Sequence, residues 1–151
     1  MYTYSCMKNY DMYRKPETVK AYKAYKTSLP KNLVCDFCDE KYIATLKDYG
    51  TFRVVKNLFP YAMWDNHLVD DHLMLVPKRH VHDLKEFTDA ERADFMNAMI
   101  EYDELGYCIW LRDQTAKGRS VSHQHTHFIK TSQTPVKGMV FHTELGNKYF
   151  L

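Results

Sequence analysis

The sequence predicts an α+β fold in which a mostly antiparallel sheet of about five strands packs with one long helix. Segments rich in β-branched or apolar residues lie before and after a single helical pattern, and the later segments follow one another like hairpin neighbours. The 151 residues are enough for one domain. Hydrophobic residues make up 45% and charged residues 26%, as in ordinary globular proteins, which excludes wholesale disorder.

The first predicted element is a short helix in the polar, Tyr- and Lys-rich residues 1–34. The helix begins at Pro16, because proline is favourable in a first helical turn, and it stops before Pro30. We therefore expect an N-terminal helical extension over residues 1–34 and the main domain over residues 35–151.

Four strands and the long helix follow. The predicted strands cover residues 51–57, 72–77, 107–111 and 121–129. The long helix begins at Thr88, which forms a capping-box pattern with Glu91, and it ends at Gly106. Between Pro60 and His72 we expect a loop, either a lid over a bound base or an ordinary surface loop.

Net charge and hydropathy exclude several classes of protein. Lys and Arg number 21 against 19 Asp and Glu, which leaves a net charge of +2. So small a charge makes nucleic acid an improbable partner. No apolar run is long enough to span a membrane, and the first residues do not resemble a signal peptide. We therefore expect a cytoplasmic protein with no membrane partner.

Two of the four cysteines form a close pair, Cys35 and Cys38, whereas Cys6 and Cys108 stand alone. Without an export signal, such a pair is typical of metal binding or redox chemistry rather than of a structural disulfide. The redox interpretation needs a βαβ pattern after the pair, and the sequence has none there. The pair therefore favours a metal site.

Five of the eight histidines fall in two short groups, and His123, His125 and His127 alternate on the predicted fourth strand. Alternate residues of a strand point to one face, about 6.5–7 Å apart. This distance is large for three ligands of one metal ion, although alternate residues do sometimes share an ion. The spacing suits a nucleophilic histidine flanked by orienting and proton-handling neighbours.

Four motifs in order resemble the histidine triad (HIT) superfamily of nucleotide hydrolases and transferases. Gly118–Ile129 (GRSVSHQHTHFI) is similar to the triad signature, and His72–Val81 (HLMLVPKRHV) is similar to the strand that precedes the long helix. Cys35–Cys38 resembles the metal pair of many bacterial members. Val54–Tyr61 (VVKNLFPY) is similar to the nucleoside-binding strand of the diadenosine-tetraphosphate phosphorylase-like branch. The resemblance implies a HIT-like fold.

The resemblance also implies roles for individual residues. His125 would attack the α-phosphate of a nucleotide, and His127 would handle protons beside it. The catalytic residues implied are His123, His125, His127 and Ser120. The nucleotide-binding residues implied are Asn57, His72, Arg112, Gly118 and Arg119.

In the family branch with a cysteine pair, the resemblance implies a zinc site. The ligands would be Cys35, Cys38, His80 and His123, a closed set typical of structural zinc. The alternative is a reduced thiol pair with two ordinary histidines.

The function implied is a nucleotide hydrolase or nucleotidyltransferase that cleaves at the α-phosphorus. Its substrate would be a dinucleoside polyphosphate or a nucleoside phosphoramidate, most simply an adenosine-containing one, and a nucleotidyl-histidine would form on the way. The alternative is a zinc-stabilised nucleotide-binding module without turnover. A DNA-repair activity would need further basic elements, which the sequence lacks. Relatives are frequently homodimers, which here implicates residues 88–105 and a sheet edge.

The spacers of the triad are among the positions that depart from the family pattern. Gln124 and Thr126 replace the apolar residues usual between the triad histidines. We therefore expect the far side of that strand to be wetter than in relatives.

Overall fold

The computed structural model describes residues 13–33, 35–116, 119–137, 139–143 and 146–150. The helices are α1 (Pro16–Ser28) and α2 (Asp89–Glu104). The strands are β1 (Thr45–Tyr49), β2 (Phe52–Lys56), β3 (Met63–Trp64), β4 (His67–Pro77), β5 (Cys108–Leu111), β6 (Thr126–Pro135), β7 (Met139–Thr143) and β8 (Gly146–Phe150). Short 3-10 helices occupy Asp36–Cys38 and Leu84–Glu86.

The main sheet has six strands, and every pair of neighbours in it is antiparallel. The order is β1-β2-β4-β6-β5, with β3 paired to β4, and β7 and β8 form a separate two-stranded sheet. The predicted α+β class is therefore confirmed, with one strand more than the approximate count of five. None of the helices among the described residues is long and apolar enough to cross a membrane.

Two strands of this sheet, β1 and β3, were not among the four predicted, and β3 lies in the segment that was expected to be a loop. Met63 pairs with Leu68 and Trp64 with His67, so this segment is a β-hairpin. The hairpin turns at Asp65 and Asn66, whose φ angles are 46° and 61°. Asp and Asn tolerate this left-handed conformation better than most residues, which makes the two-residue turn possible. The expectation of an irregular loop was wrong, because the tight turn at Asp65 and Asn66 lets the chain pair with itself. Strand β4 therefore begins at His67, five residues earlier than predicted.

The long helix α2 begins and ends as the sequence predicts. Thr88 accepts a hydrogen bond from the backbone N–H of Glu91, and the Glu91 carboxylate accepts one from the N–H of Thr88. This reciprocal pair satisfies two of the backbone donors that a helix start leaves free. Gly106 has a φ of +78°, which a side chain would disfavour, so the chain can leave the helix there.

Strand alternation divides the core between the two faces of the sheet. On one face, α2 covers a cluster that includes Val54, Leu73 and Phe128. On the opposite face, Val55 and Met74 pack with residues of the Cys35–Ile43 segment. His127 pairs with Met74 in the sheet register, so it shares the face opposite α2. The candidate site therefore lies on that second face.

The strand that carries the triad is shorter at its start than predicted, since β6 begins at Thr126 rather than at residue 121. Its partner β4 ends at Pro77, which has no N–H to extend the ladder. Before the strand, the N–H of Gln124 donates instead to the carbonyl of Val81, 2.7 Å away. His123 and His125 consequently lie outside the strand, and the prediction of three imidazoles in one strand row was wrong.

Candidate active site and metal centre

A pocket opens on the sheet face opposite α2, and the triad forms part of its wall. His125 and His127 line it together with side chains that the sequence placed in nucleotide binding. Of those, Asn57 and Arg112 line the pocket, as does Ser120. The pocket thus brings together five of the predicted site residues.

The His125 ring is oriented by the backbone of the residue two positions before it. Its Nδ1 lies 2.8 Å from the carbonyl oxygen of His123. A carbonyl can only accept, so Nδ1 carries the proton and Nε2 keeps its lone pair. Burial lowers the pKa of His125 to about 4, while the bond to His123 opposes the shift and the Arg119 and Arg112 charges add to it. At neutral pH this imidazole is therefore uncharged and keeps the lone pair on Nε2.

The His127 ring has the opposite polarity, and a chain of hydrogen bonds establishes it. The backbone N–H of Tyr61 donates to Nδ1 of His72 at 3.0 Å, so the proton of neutral His72 is on Nε2. That Nε2 lies 2.9 Å from Nδ1 of His127 and donates to it. His127 therefore carries its own proton on Nε2. The two neighbouring rings, with centroids 5.1 Å apart, offer one lone pair and one N–H.

Burial keeps both members of this chain uncharged. It lowers the pKa of His72 to about 3, and the Arg14 and His125 charges act in the same direction. Burial likewise holds the pKa of His127 well below its usual value. The Asn57 amide nitrogen lies against the same His72 ring, 3.1 Å from Nε2, while the Asn57 oxygen accepts from the N–H of Phe59 at 2.9 Å.

The free energy of unfolding should therefore decrease as the pH falls, in part because of His72. In the unfolded chain its pKa is about 6.5, so between pH 6.5 and 3 the unfolded state binds more protons than the folded state. Between pH 7 and pH 5 we expect His72 alone to cost about 2 kcal/mol of unfolding free energy. In urea titrations, His72→Gln should lose correspondingly less stability over this range. The matched control is His67→Gln on the same strand, and parallel curves for wild type and His72→Gln would contradict the assignment.

The four predicted metal ligands converge at one point beside the pocket. The ligand atoms of Cys35, Cys38, His80 and His123 all lie within 4.8 Å of one another. His123 Nδ1 is 3.4 Å from each sulfur, and His80 Nδ1 is 3.2 Å from the Cys38 sulfur. A tetrahedral zinc ion with its usual bond lengths places nitrogen and sulfur about 3.5 Å apart. The donor set and spacing fit a metal ion.

The second nitrogen of His123 supports this arrangement. Nε2 lies 2.9 Å from the carbonyl oxygen of Pro77, to which it donates. The proton is then on Nε2, and the lone pair of Nδ1 faces the two sulfurs. Metal-binding histidines commonly have such a hydrogen bond on the far nitrogen, which fixes the tautomer. His123 is thus oriented toward the sulfurs by a backbone group of β4.

Arg53, which is outside the predicted set, holds the Cys35–Ile43 segment in place, and Phe37 of that segment contacts two triad histidines. Arg53 is buried, and its guanidinium donates to the carbonyls of Phe37 and Ile43, both at 2.6 Å. The Phe37 ring lies edge-on to His125, with centroids 5.3 Å apart, and 5.9 Å from the ring of His123. The metal cluster and the pocket therefore share a wall. The apolar pattern of the strand that contains Arg53 did not indicate that this side chain would be buried and bonded to these carbonyls.

Other predicted residues are placed differently. The Arg119 guanidinium donates to the carbonyls of His82, Val121 and Ser122, so it braces the loop before the triad and is not among the side chains that line the pocket. Arg112 lines the pocket and stacks over Trp110 at 4.3 Å. Gly118 lies outside the described residues.

The expectation of a wetter far side was wrong. Gln124 is 2% exposed and Thr126 is fully buried. Thr126 pairs with Leu75, whose side chain belongs to the cluster beneath α2. These polar spacers are therefore part of the interior.

The N-terminal segment contributes to the pocket in a way that the sequence did not predict. Three of its side chains are among those that line the pocket, namely Arg14, Tyr22 and Tyr25. Arg14 donates to the carbonyl of Phe59 at 2.6 Å, and its guanidinium lies 4.8 Å from the centre of the Tyr61 ring. The high Tyr and Lys content of this segment is its one unusual sequence feature, but composition does not predict where the segment packs.

Comparison with known proteins agrees with this geometry. Residues 65–134 match the model of the HIT domain family. A HIT family hydrolase from Clostridium thermocellum superposes with a TM-score of 0.50 at 19% identity, covering 70% of this chain and 95% of the other. A HIT family hydrolase from Legionella pneumophila Philadelphia 1 has the same score and identity, with coverages of 66% and 94%. No protein of curated function matches significantly. The match of residues 65–134 to the HIT domain family, the fold shared with these hydrolases and the positions of the triad histidines are therefore in agreement.

Proposed function

We propose that this protein cleaves nucleotides at the α-phosphorus, with His125 as the nucleophile. The observation that carries the proposal is the opposite polarity of two adjacent imidazoles, since His125 presents a lone pair and His127 presents an N–H. A binding surface alone would not need a lone pair and a donor side by side. The named relatives are hydrolases, which supports an enzyme of this general kind.

The proposed reaction has two steps. In the first, the lone pair of His125 Nε2 attacks the α-phosphorus, and the bond to the leaving group breaks with its electron pair going to the leaving group. The modified ring is then a cation, which its Nδ1–H bond to the His123 carbonyl stabilises. In the second, water attacks the same phosphorus and releases a proton to the solvent, the P–N bond returns its electrons to Nε2, and a nucleoside monophosphate leaves. Phosphate in place of water makes the same site a transferase.

The neighbouring side chains have supporting roles in this proposal. The His127 Nε2–H donates to oxygens that gain charge in the transition state, which is where such a donor lowers the barrier most. Arg112 would supply a positive charge to the phosphates, and Ser120, which also lines the pocket, would contact the leaving group. Asn57 lines the same pocket and would hold the ribose.

We propose zinc as the ion of the metal centre, with Cys35, Cys38, His80 and His123 as its ligands. Two thiolates and two imidazoles form a closed tetrahedral set, which is typical of structural zinc. When bound, the ion would supply cross-linking of the Cys35–Ile43 segment to the strand ends. The residues themselves position Phe37 and the backbone of His123 against the nucleophile.

A turnover assay by liquid chromatography tests the proposed activity. The protein would be incubated with dinucleoside polyphosphates and nucleoside phosphoramidates, with and without phosphate. We expect release of a nucleoside monophosphate and, in acid-free intact-mass spectra, one nucleotidyl group per chain. Nucleotide binding without turnover of any compound would instead support the alternative, a zinc-stabilised binding module.

We further propose a homodimer through the outer face of α2. Met96 and Ile100 on α2, and Leu105 directly after it, are each more than half exposed, at 52%, 52% and 51%. Strand β5, next to this helix, is a free edge of the described sheet. By light scattering we expect twice the 18.0 kDa chain mass for the wild type. Ile100→Glu should give the monomer, whereas Leu68→Glu on the distant hairpin should not; a monomeric wild type would refute the dimer.

A further inference from the structure

We propose that Asp36 makes the pocket selective for guanine over adenine nucleotides. This inference rests on the proposed function and names the base that the same site takes. Asp36 begins the 3-10 helix between the two cysteines, and it is only 5% exposed. Among the described residues, it is the acidic side chain that lines the pocket with His125.

The surroundings of Asp36 resemble a base pocket more than a phosphate site. Apolar side chains line the same pocket, and they include Phe37, which follows Asp36 in the 3-10 helix, Ile43 and Met74. The positive charge of Arg112 and the two proposed catalytic imidazoles also line this pocket. A carboxylate repels phosphate, so the phosphates would lie toward Arg112 and the base toward Asp36.

The carboxylate is held in place but still has acceptor capacity. The ammonium of Lys26 lies 3.3 Å from its Oδ2. The Tyr25 hydroxyl is also close, and burial together with the Asp36 charge raises the pKa of Tyr25 to about 12. An ionised carboxylate has about four lone-pair sites. The contacts with Lys26 and Tyr25 use part of this capacity, and the remaining lone pairs are available to a ligand.

The hydrogen-bonding edges of the two purines explain the selectivity. Guanine presents two adjacent donors, N1–H and the exocyclic amine, which match the two oxygens of a carboxylate. Adenine presents one donor beside the N1 acceptor, so a carboxylate that pairs with the amine places an oxygen against a lone pair. A buried polar group that is left unpaired is costly, and this cost is the usual source of strong substrate discrimination. The resemblance to the family suggested adenosine, but this side chain favours guanine.

The test compares paired nucleotides in binding and in turnover. Calorimetry would measure the dissociation constants of GMP and AMP, and kinetics would measure kcat/KM for guanosine and adenosine phosphoramidates with the same leaving group. For the wild type we expect a preference for guanine of at least ~10-fold in both measurements. Asp36→Asn should lose this preference or reverse it, because an amide pairs well with the adenine edge. Glu40→Gln, an exposed acid of the same segment, should keep the wild-type ratio.

The outcomes separate this inference from the proposed function. Tighter binding of GMP than AMP, with no turnover of either phosphoramidate, would sustain the base selectivity and refute the enzyme. Turnover of both compounds at equal kcat/KM would do the reverse. An unchanged ratio in Asp36→Asn would also overturn the inference, since Asp36 would then be only an ion-pair partner of Lys26. If that variant does not fold, the wild-type ratio alone decides.

Discussion

Replacing His125 by alanine should lower kcat for nucleotide release by ~10⁴-fold or more, as expected when a covalent nucleophile is removed. The covalent route is then closed, because no other lone pair in the described pocket occupies the position of His125 Nε2. KM should change far less, since Asn57, Arg112 and the apolar wall still line the pocket. Single-turnover chromatography, with intact-mass detection of the nucleotidyl adduct, measures both quantities.

The control for this variant is a histidine of the main sheet that does not line the pocket. His67→Ala, on the far end of β4, should retain wild-type kcat and the adduct. Metal content should be unchanged in His125→Ala, because His125 is not one of the four clustered ligands. A loss of less than tenfold, or an adduct that persists in the variant, would refute the assignment of the nucleophile.

Replacing both Cys35 and Cys38 by serine should abolish metal binding and strongly destabilise the fold. A ligand present at 1,000 times its dissociation constant stabilises a folded protein by about 4 kcal/mol, and structural zinc commonly exceeds this ratio. We therefore expect at least that loss of unfolding free energy in urea titrations. Elemental analysis of the purified protein should give one zinc per wild-type chain and none for the variant.

Cys108 provides a matched control for the cysteine pair. It is an exposed thiol on the edge strand β5 and is not one of the four clustered ligands. Cys108→Ser should keep the zinc and the wild-type stability. Wild-type protein that contains no metal, or a double variant as stable as the wild type, would contradict the metal centre.

The sequence predicted the elements whose signals are local. The capping box at Thr88 and the glycine at 106 are complete within a few residues, so both ends of α2 could be predicted. The resemblance to the family also predicted a metal cluster of Cys35, Cys38, His80 and His123. Its outermost members, Cys35 and His123, are 88 positions apart, so the prediction depended on the order of these unusual residues and not on local pattern. The structure places their ligand atoms together.

Features that depend on pairing between distant segments could not be predicted. The start of β6 depends on the end of its partner β4 at Pro77, which has no backbone N–H to donate. The residue pattern of β6 alone contains no information about that partner. Arg53 looks like an interruption in an apolar strand until the carbonyls of Phe37 and Ile43 are packed over it. The same holds for Arg14, whose position follows from contacts with Phe59 and Tyr61.

The proton on His127 is placed, in the end, by a main-chain group. The chain from the Tyr61 N–H through His72 needs nothing from the Tyr61 side chain, and every residue except proline has that N–H. The aromatic ring at this position can consequently drift during evolution, and reshape the pocket wall, without reversing the direction in which the imidazole donates. A substitution of Tyr61 can therefore change the pocket wall, and with it substrate preference, without changing which nitrogen of His127 carries the proton. Tyr61→Pro is the exception, because it removes the N–H as well as the ring.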